Sequence, residues 1–175
     1  MRKIYTLLLL SFFAFTLTAQ VPGDDCNSAI FLPDVNDYCS EVGEFSLSGT
    51  TLSATPAASC WGLPPSEDIW LAFRATRTSV SVRIIGATDF FTGGTFAASS
   101  KSLVMYSDDC GSLTEIACTN RGDDDVITTG ATVNVGDTYF FRLSAQFSNS
   151  GTFQVCISGI DPVPDPVSDL SLIHI

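Results

Sequence analysis

The sequence predicts an all-β protein, a two-sheet antiparallel sandwich of eight or nine strands held by disulfides. Three observations carry that class. Short segments alternate apolar and polar residues at the period of half-buried strands. No window holds helical periodicity between capping residues. Six cysteines, an even number, lie in the body of the chain. The clearest alternation is Asp68-Ile-Trp-Leu-Ala-Phe-Arg-Ala75, where Ile69, Leu71, Phe73 and Ala75 interleave with Trp70, Ala72 and Arg74. It reads as a central strand with one face in the core.

The chain opens with Arg2 and Lys3, an apolar run from Leu7 to Phe15 and small residues ending at Ala19. That is the three-part pattern of a secretory signal peptide over residues 1–19, and the run is too short to span a bilayer. Its removal leaves about 155 residues, enough for one domain with a sizeable core, here residues 20–160. It also leaves 6 basic residues against all 19 acidic ones, a net charge of −13. Such a surface repels phosphate backbones and anionic lipid, so neither a nucleic-acid partner nor membrane insertion is expected. Cys26, Cys39, Cys60, Cys110, Cys118 and Cys156 all follow the signal, with no Cys-x-x-Cys spacing. In an exported chain this favours three disulfides over thiolate-bound zinc.

In chain order, a first strand is expected at about Ser28 to Leu32, closed by Pro33 and a polar turn from Asp34 to Asp37. A second runs from about Glu44 to Ala54 on Phe45, Leu47 and Leu52. Thr55 to Glu67, with Pro56, Pro64 and Pro65, is a long loop into the central strand. Ser79 to Ile85 alternates again. Thr88 to Ser100 lacks a clean period and reads as a loop with at most a weak strand. Ser102 to Tyr106 and Leu113 to Cys118 are strands joined by the turn Ser107-Asp-Asp-Cys-Gly-Ser112. Val126 to Val135 and Tyr139 to Ala145, separated by Gly136-Asp137, form the clearest hairpin by turn chemistry. Gln146 to Ser150 is a polar turn before a last strand, Thr152 to Ile157. Asp161-Pro-Val-Pro-Asp-Pro166 begins a stiff, Pro-rich linker over residues 161–169. Leu170-Ser-Leu-Ile-His-Ile175 resembles the in-frame translation of a sequencing-library adapter, and is expected to pack against nothing.

Asp24-Asp-Cys-Asn-Ser-Ala-Ile30, Asp68-Ile-Trp70 before Phe73, Val104-Met-Tyr-Ser-Asp-Asp-Cys110, Leu113 to Cys118, Val135-Gly-Asp-Thr-Tyr-Phe-Phe-Arg142 and Gly151-Thr-Phe153 fall in an order that resembles one family group. This is the bacterial pre-peptidase C-terminal-like and CUB-like β-sandwich modules of large exported proteins, over about residues 24 to 158. The resemblance implies a jelly-roll or CUB-like sandwich and a non-catalytic accessory module, secreted or at the bacterial cell surface. It would serve further domains of the same protein and contact extracellular protein or carbohydrate. The alternative is an N-terminal fragment of a secreted peptidase or glycosidase whose catalytic domain lies elsewhere.

No catalytic residue is expected. His174 is the single histidine and lies at the extreme C-terminus, whereas nucleophilic catalysis needs a positioned base. A Ser-Lys pair would have to use Lys101, in a turn-like Ser-Ser-Lys-Ser setting. Paired carboxylates suit glycoside hydrolysis, but turn positions also favour Asp for local backbone bonding. The same carboxylates suit Ca2+, which takes several oxygen ligands from flexible loops. Asp68, Asp108, Asp109, Asp123, Asp124 and Asp125 are the pool for such a site. Trp70 is expected in the core, and Trp61, in the Pro-rich loop, as an exposed aromatic contact. Arg121-Gly-Asp123 spells a tripeptide known from integrin ligands, within a polar turn.

Six cysteines allow fifteen pairings. Cys110 and Cys118 flank one turn and its strand, which favours a local bridge. A hairpin of the first two strands would place Cys26 at its open end near Cys60. Those two pairs leave Cys39 for Cys156.

Overall fold

The computed structural model describes residues 21–32, 37–86, 98–123, 126–146 and 151–160. Its ten strands are β1 (Ile30–Phe31), β2 (Tyr38–Cys39), β3 (Phe45–Ser46), β4 (Glu67–Arg74), β5 (Ser79–Gly86), β6 (Lys101–Ser107), β7 (Thr114–Asn120), β8 (Val126–Thr132), β9 (Thr138–Ala145) and β10 (Thr152–Ile160). Short 3-10 turns at Cys26–Ser28 and Ala98–Ser100 precede β1 and β6. The first sheet runs β1-β4-β9-β6-β7 and the second β2-β10-β5-β8, with β3 also paired to β10. Among the described residues no helix is long and apolar enough to cross a membrane.

Alternation puts one face of each long strand between the sheets. Leu71 and Phe73 of β4, Phe141 and Leu143 of β9 and Leu103 and Met105 of β6 meet Val82, Ile84, Val155 and Ile157 of the second sheet. Each such side chain, fully buried, contributes about 1.5–3 kcal/mol of transfer free energy. β4 departs from the half-buried expectation, because Trp70 and Ala72 on its other face are buried too. A second, smaller core covers the outer face of the first sheet, built on Trp70, Val104 and Tyr106 with Cys26 and Ala58.

Several connections differ from expectation. The centre of the first sheet is β9; β4 lies beside it, next to the two-residue β1. β8 and β9 do not form a hairpin. β8 pairs with β5 in the second sheet, while β9 lies between β4 and β6 in the first. Gly136-Asp137 does reverse the chain, at a Gly136 φ of 96°, but as an arch between sheets tied by Gly136 N–H to Ala75 O (2.8 Å) and Ala75 N–H to Asp137 O (2.9 Å). The turn residues encode reversal. Burial of both β9 faces, with Phe141 on one and Arg142 on the other, selects a sheet centre with two partners.

The first two expected strands do not pair either. β1 joins β4 in parallel, the one parallel pairing among the described strands. The expected second strand shortens to β3, broken where Gly49 takes φ 85° and Thr50 N–H bonds Leu47 O. β2, which had no alternating signal, forms where Cys39 lies opposite Cys156. The β6–β7 hairpin forms as expected.

These pairings reset two of the disulfides. Cys26 joins Cys110 (Cα–Cα 5.6 Å), and Cys60 joins Cys118 (5.8 Å), in place of Cys26–Cys60 and Cys110–Cys118. Cys118 faces Val104 in mid-hairpin, whereas Cys110 lies beyond the Ser107/Thr114 end of the register. The four residues from Cys118 to Thr114 alone span about 13 Å at the strand rise, too far for one bridge. Each cysteine instead reaches a segment laid over the outer face: Cys110 the N-terminal turn, Cys118 the 51–66 loop. Cys39 joins Cys156 (4.1 Å), directly across the β2–β10 pair. Three disulfides account for all six cysteines, the chemistry of an oxidising compartment.

The signal segment 1–19, the turn at 33–36, most of the 88–100 loop, Asp124, Asp125, residues 147–150, the linker 161–169 and the 170–175 tail lie outside the described residues.

Candidate functional site

Three places concentrate polar chemistry. The first is on the outer face of the first sheet, where register sets Arg142 of β9 between Trp70 of β4 and Val104 of β6. Arg142 and Asp68 are both fully buried and joined by an ion pair. The Arg142 Nε–H donates to Asp68 Oδ2 at 2.7 Å, and Nη2 donates to the same oxygen. Nη1 reaches the carbonyls of Thr55 (3.4 Å) and Pro56 (3.1 Å), so the guanidinium holds the covering loop by its backbone. The ring centroids of Trp61 and Trp70 lie 4.4 and 5.2 Å from its central carbon. Ser53 closes the network: its hydroxyl accepts from Trp70 Nε1 at 3.1 Å and donates to Asp68 Oδ2 at 2.9 Å. Burial raises the Asp68 carboxyl above its ordinary value, and Arg142 and Ser53 pull against that rise. Burial likewise raises the Tyr106 hydroxyl, whose ring stacks on Trp70 at 5.4 Å.

Trp61 therefore is not the exposed aromatic contact that its Pro-rich setting suggested. It is half-buried on Arg142, and Cys60–Cys118 beside it and Ser59 bonded to Glu115 fasten its loop to β7. Asp68 is committed to Arg142 rather than open to an ion. Asp108 and Asp109 lie in the β6–β7 turn, while Asp123 lies past the opposite end of that hairpin. Among the described residues no three metal-ligating side chains converge on one point.

The second place is one end of the sandwich's interior. Glu67 of β4 and Lys101 of β6 both register with Ala145 of β9, so their side chains share the inward face across a small residue. Lys101 is fully buried, and its amine lies 3.3 Å from the Ser100 hydroxyl. Burial lowers the Lys101 pKa to about 8 against the pull of Glu67, and raises the Glu67 carboxyl. A serine and a lysine thus do meet, but inside the domain.

The third place is open. At the other end of the strands, the β6–β7 turn and the arch from β8 to β9 frame a cleft of about 820 Å³, lined by Asp108, Asp109, Ile116, Asn134, Asp137 and Tyr139 among others. Thr138, Phe140 and Asp109 continue it into a second hollow of about 410 Å³ toward Phe31 and Ala72. Phe31, which lines that second hollow, is 55% exposed, and Val135, between Asn134 and Gly136 of the arch, is 56% exposed. Asp108 holds φ 69°, a left-handed conformation that Asp tolerates. The cleft offers carboxylate and amide groups beside aromatic rings, which suits hydrogen-bonding ligands with an apolar face. Asp108 and Asp109 were in the sequence pool. Asp137 was not, because its Gly-Asp turn signal accounted for it.

Neither the family models nor the curated proteins compared with this chain match it.

Proposed function

We propose that this domain is a non-catalytic accessory module of a secreted or cell-surface bacterial protein, akin to the pre-peptidase C-terminal-like and CUB-like sandwiches, and that it contacts extracellular protein or glycan. The observation that carries the reading is the open cleft between the β6–β7 turn and the β8–β9 arch, with its carboxylates, its threonines and asparagine and the exposed Phe31 of the adjoining hollow. Loops carried on a rigid sandwich are where binding residues concentrate. Three disulfides supply such rigidity and match an exported setting.

Screening the disulfide-bonded protein against a glycan array and a panel of extracellular proteins tests the reading. Capture is expected, and Phe31→Ala or Asp137→Asn should weaken it about tenfold, the scale of a contact that matters. Capture indifferent to both changes, or none from folded protein, would refute the cleft as the binding site.

A further inference from the structure

The chain leaves β7 at the end of the sandwich opposite the cleft, through Arg121, Gly122 and Asp123. The backbone there is pinned: Arg121 N–H bonds Lys101 O at 2.8 Å, Gly122 N–H bonds Ala98 O at 2.9 Å, and Val126 N–H bonds Asp123 O at 2.9 Å. Arg121 has φ 65°. A Cβ on Gly122 would lie 2.1 Å from Val126 O and 2.8 Å from Ala98 and Ile127, so glycine is demanded by packing alone. The side chains on either side are exposed, and among the described residues neither makes a hydrogen bond or ion pair. Arg142, by contrast, is engaged with Asp68, and Arg74 with the Gly136 carbonyl at 2.8 Å.

We propose that Arg121 and Asp123 present a guanidinium and a carboxylate to a metal-dependent adhesion receptor, one whose site joins an acidic pocket to a divalent cation with an open coordination position. A guanidinium fork pairs with carboxylate in bidentate fashion. A hard divalent cation takes a carboxylate oxygen as ligand. The pinned backbone removes most of the ordering cost that a flexible tripeptide meets on binding. Because this surface and the cleft lie at opposite ends, either reading can fail without the other.

The probe is the ectodomain of an integrin that reads this tripeptide, presented with the whole disulfide-bonded protein in Mn2+ and then in chelator. Binding is expected in Mn2+ and absent in chelator. Arg121→Ala and Asp123→Glu should each weaken it roughly thirtyfold or more, the scale for losing one partner of a desolvated charge pair. Both variants leave the pinning backbone bonds in place, and an unchanged thermal midpoint verifies their folding. No binding by the folded protein, or binding that survives chelator or Asp123→Glu, overturns the proposal.

Discussion

Arg142 and Asp68 are two charges withdrawn from water on the outer face of a sheet, and their geometry explains why that face is covered. Desolvating the pair costs several kcal/mol per ion, offset by the two bonds to one carboxylate oxygen, the Ser53 hydroxyl, the two loop carbonyls and the indole faces. Arg142→Met should therefore destabilise by about 3–5 kcal/mol, because Asp68 is left buried and unpaired. Adding Asp68→Leu should recover most of that loss; urea denaturation of both variants measures it, and a double variant as weak as the single one would show that packing, not charge, is at stake. Lys101 is the opposite case, a cation that burial disfavours. Its folded pKa of about 8 lies below the ordinary 10.5, so between these values the unfolded chain holds more protons than the folded one. Stability then gains with rising pH across that window. Thermal midpoints of the wild type and Lys101→Met, compared from pH 8 to 10, should show the wild type gaining on the variant; parallel curves would place the lysine's titration elsewhere.

At the scale of elements, the least regular segment does the most. Residues 51–66 hold no strand, yet they bury Trp70 and Tyr106, receive Arg142 on two carbonyls and anchor through Cys60. The bridges close separations of 84, 117 and 58 residues, long enough that the loop-entropy model assigns each about 4–5 kcal/mol. What differs is where each acts. Replacing Cys60 and Cys118 by serine should free the covering loop while the two sheets stay paired. Proteolysis between 51 and 66, with increased quenching of Trp61 fluorescence, reads this. Removing Cys39–Cys156 should instead leave the loop protected, since it ties β2 to β10. Equal protection of the loop in both variants would contradict the assignment, as would a non-reducing peptide map joining Cys26 to Cys60.

For the whole molecule, what could be read from the chain alone was what depends on neighbours a few residues away. Alternation marked β4 and β5, and strand segments between turns marked β6 through β10, most of them to within a residue or two at each end, while the absence of helical period marked the class. Turn chemistry located the reversals at Gly136 and in the β6–β7 hairpin. Partner choice was not legible. A Gly-Asp turn looks the same whether the next strand returns to its own sheet or crosses to the other, and only the burial of both β9 faces decides. The same limit hid the site. Asp68 stood among the candidate calcium ligands until Arg142, 74 residues on, was seen to take it, and Trp61 looked exposed until that guanidinium lay beneath it. Cys39 and Cys156 were matched by elimination, from a hairpin that does not form, and are joined because β2 pairs with β10. The sequence by itself determined the positions of β4 through β10, class and charge, because side-chain period and composition are local quantities. Sheet order, two of the three disulfides, the second core and the cleft were decided by tertiary structure, because each depends on which distant faces exclude water together.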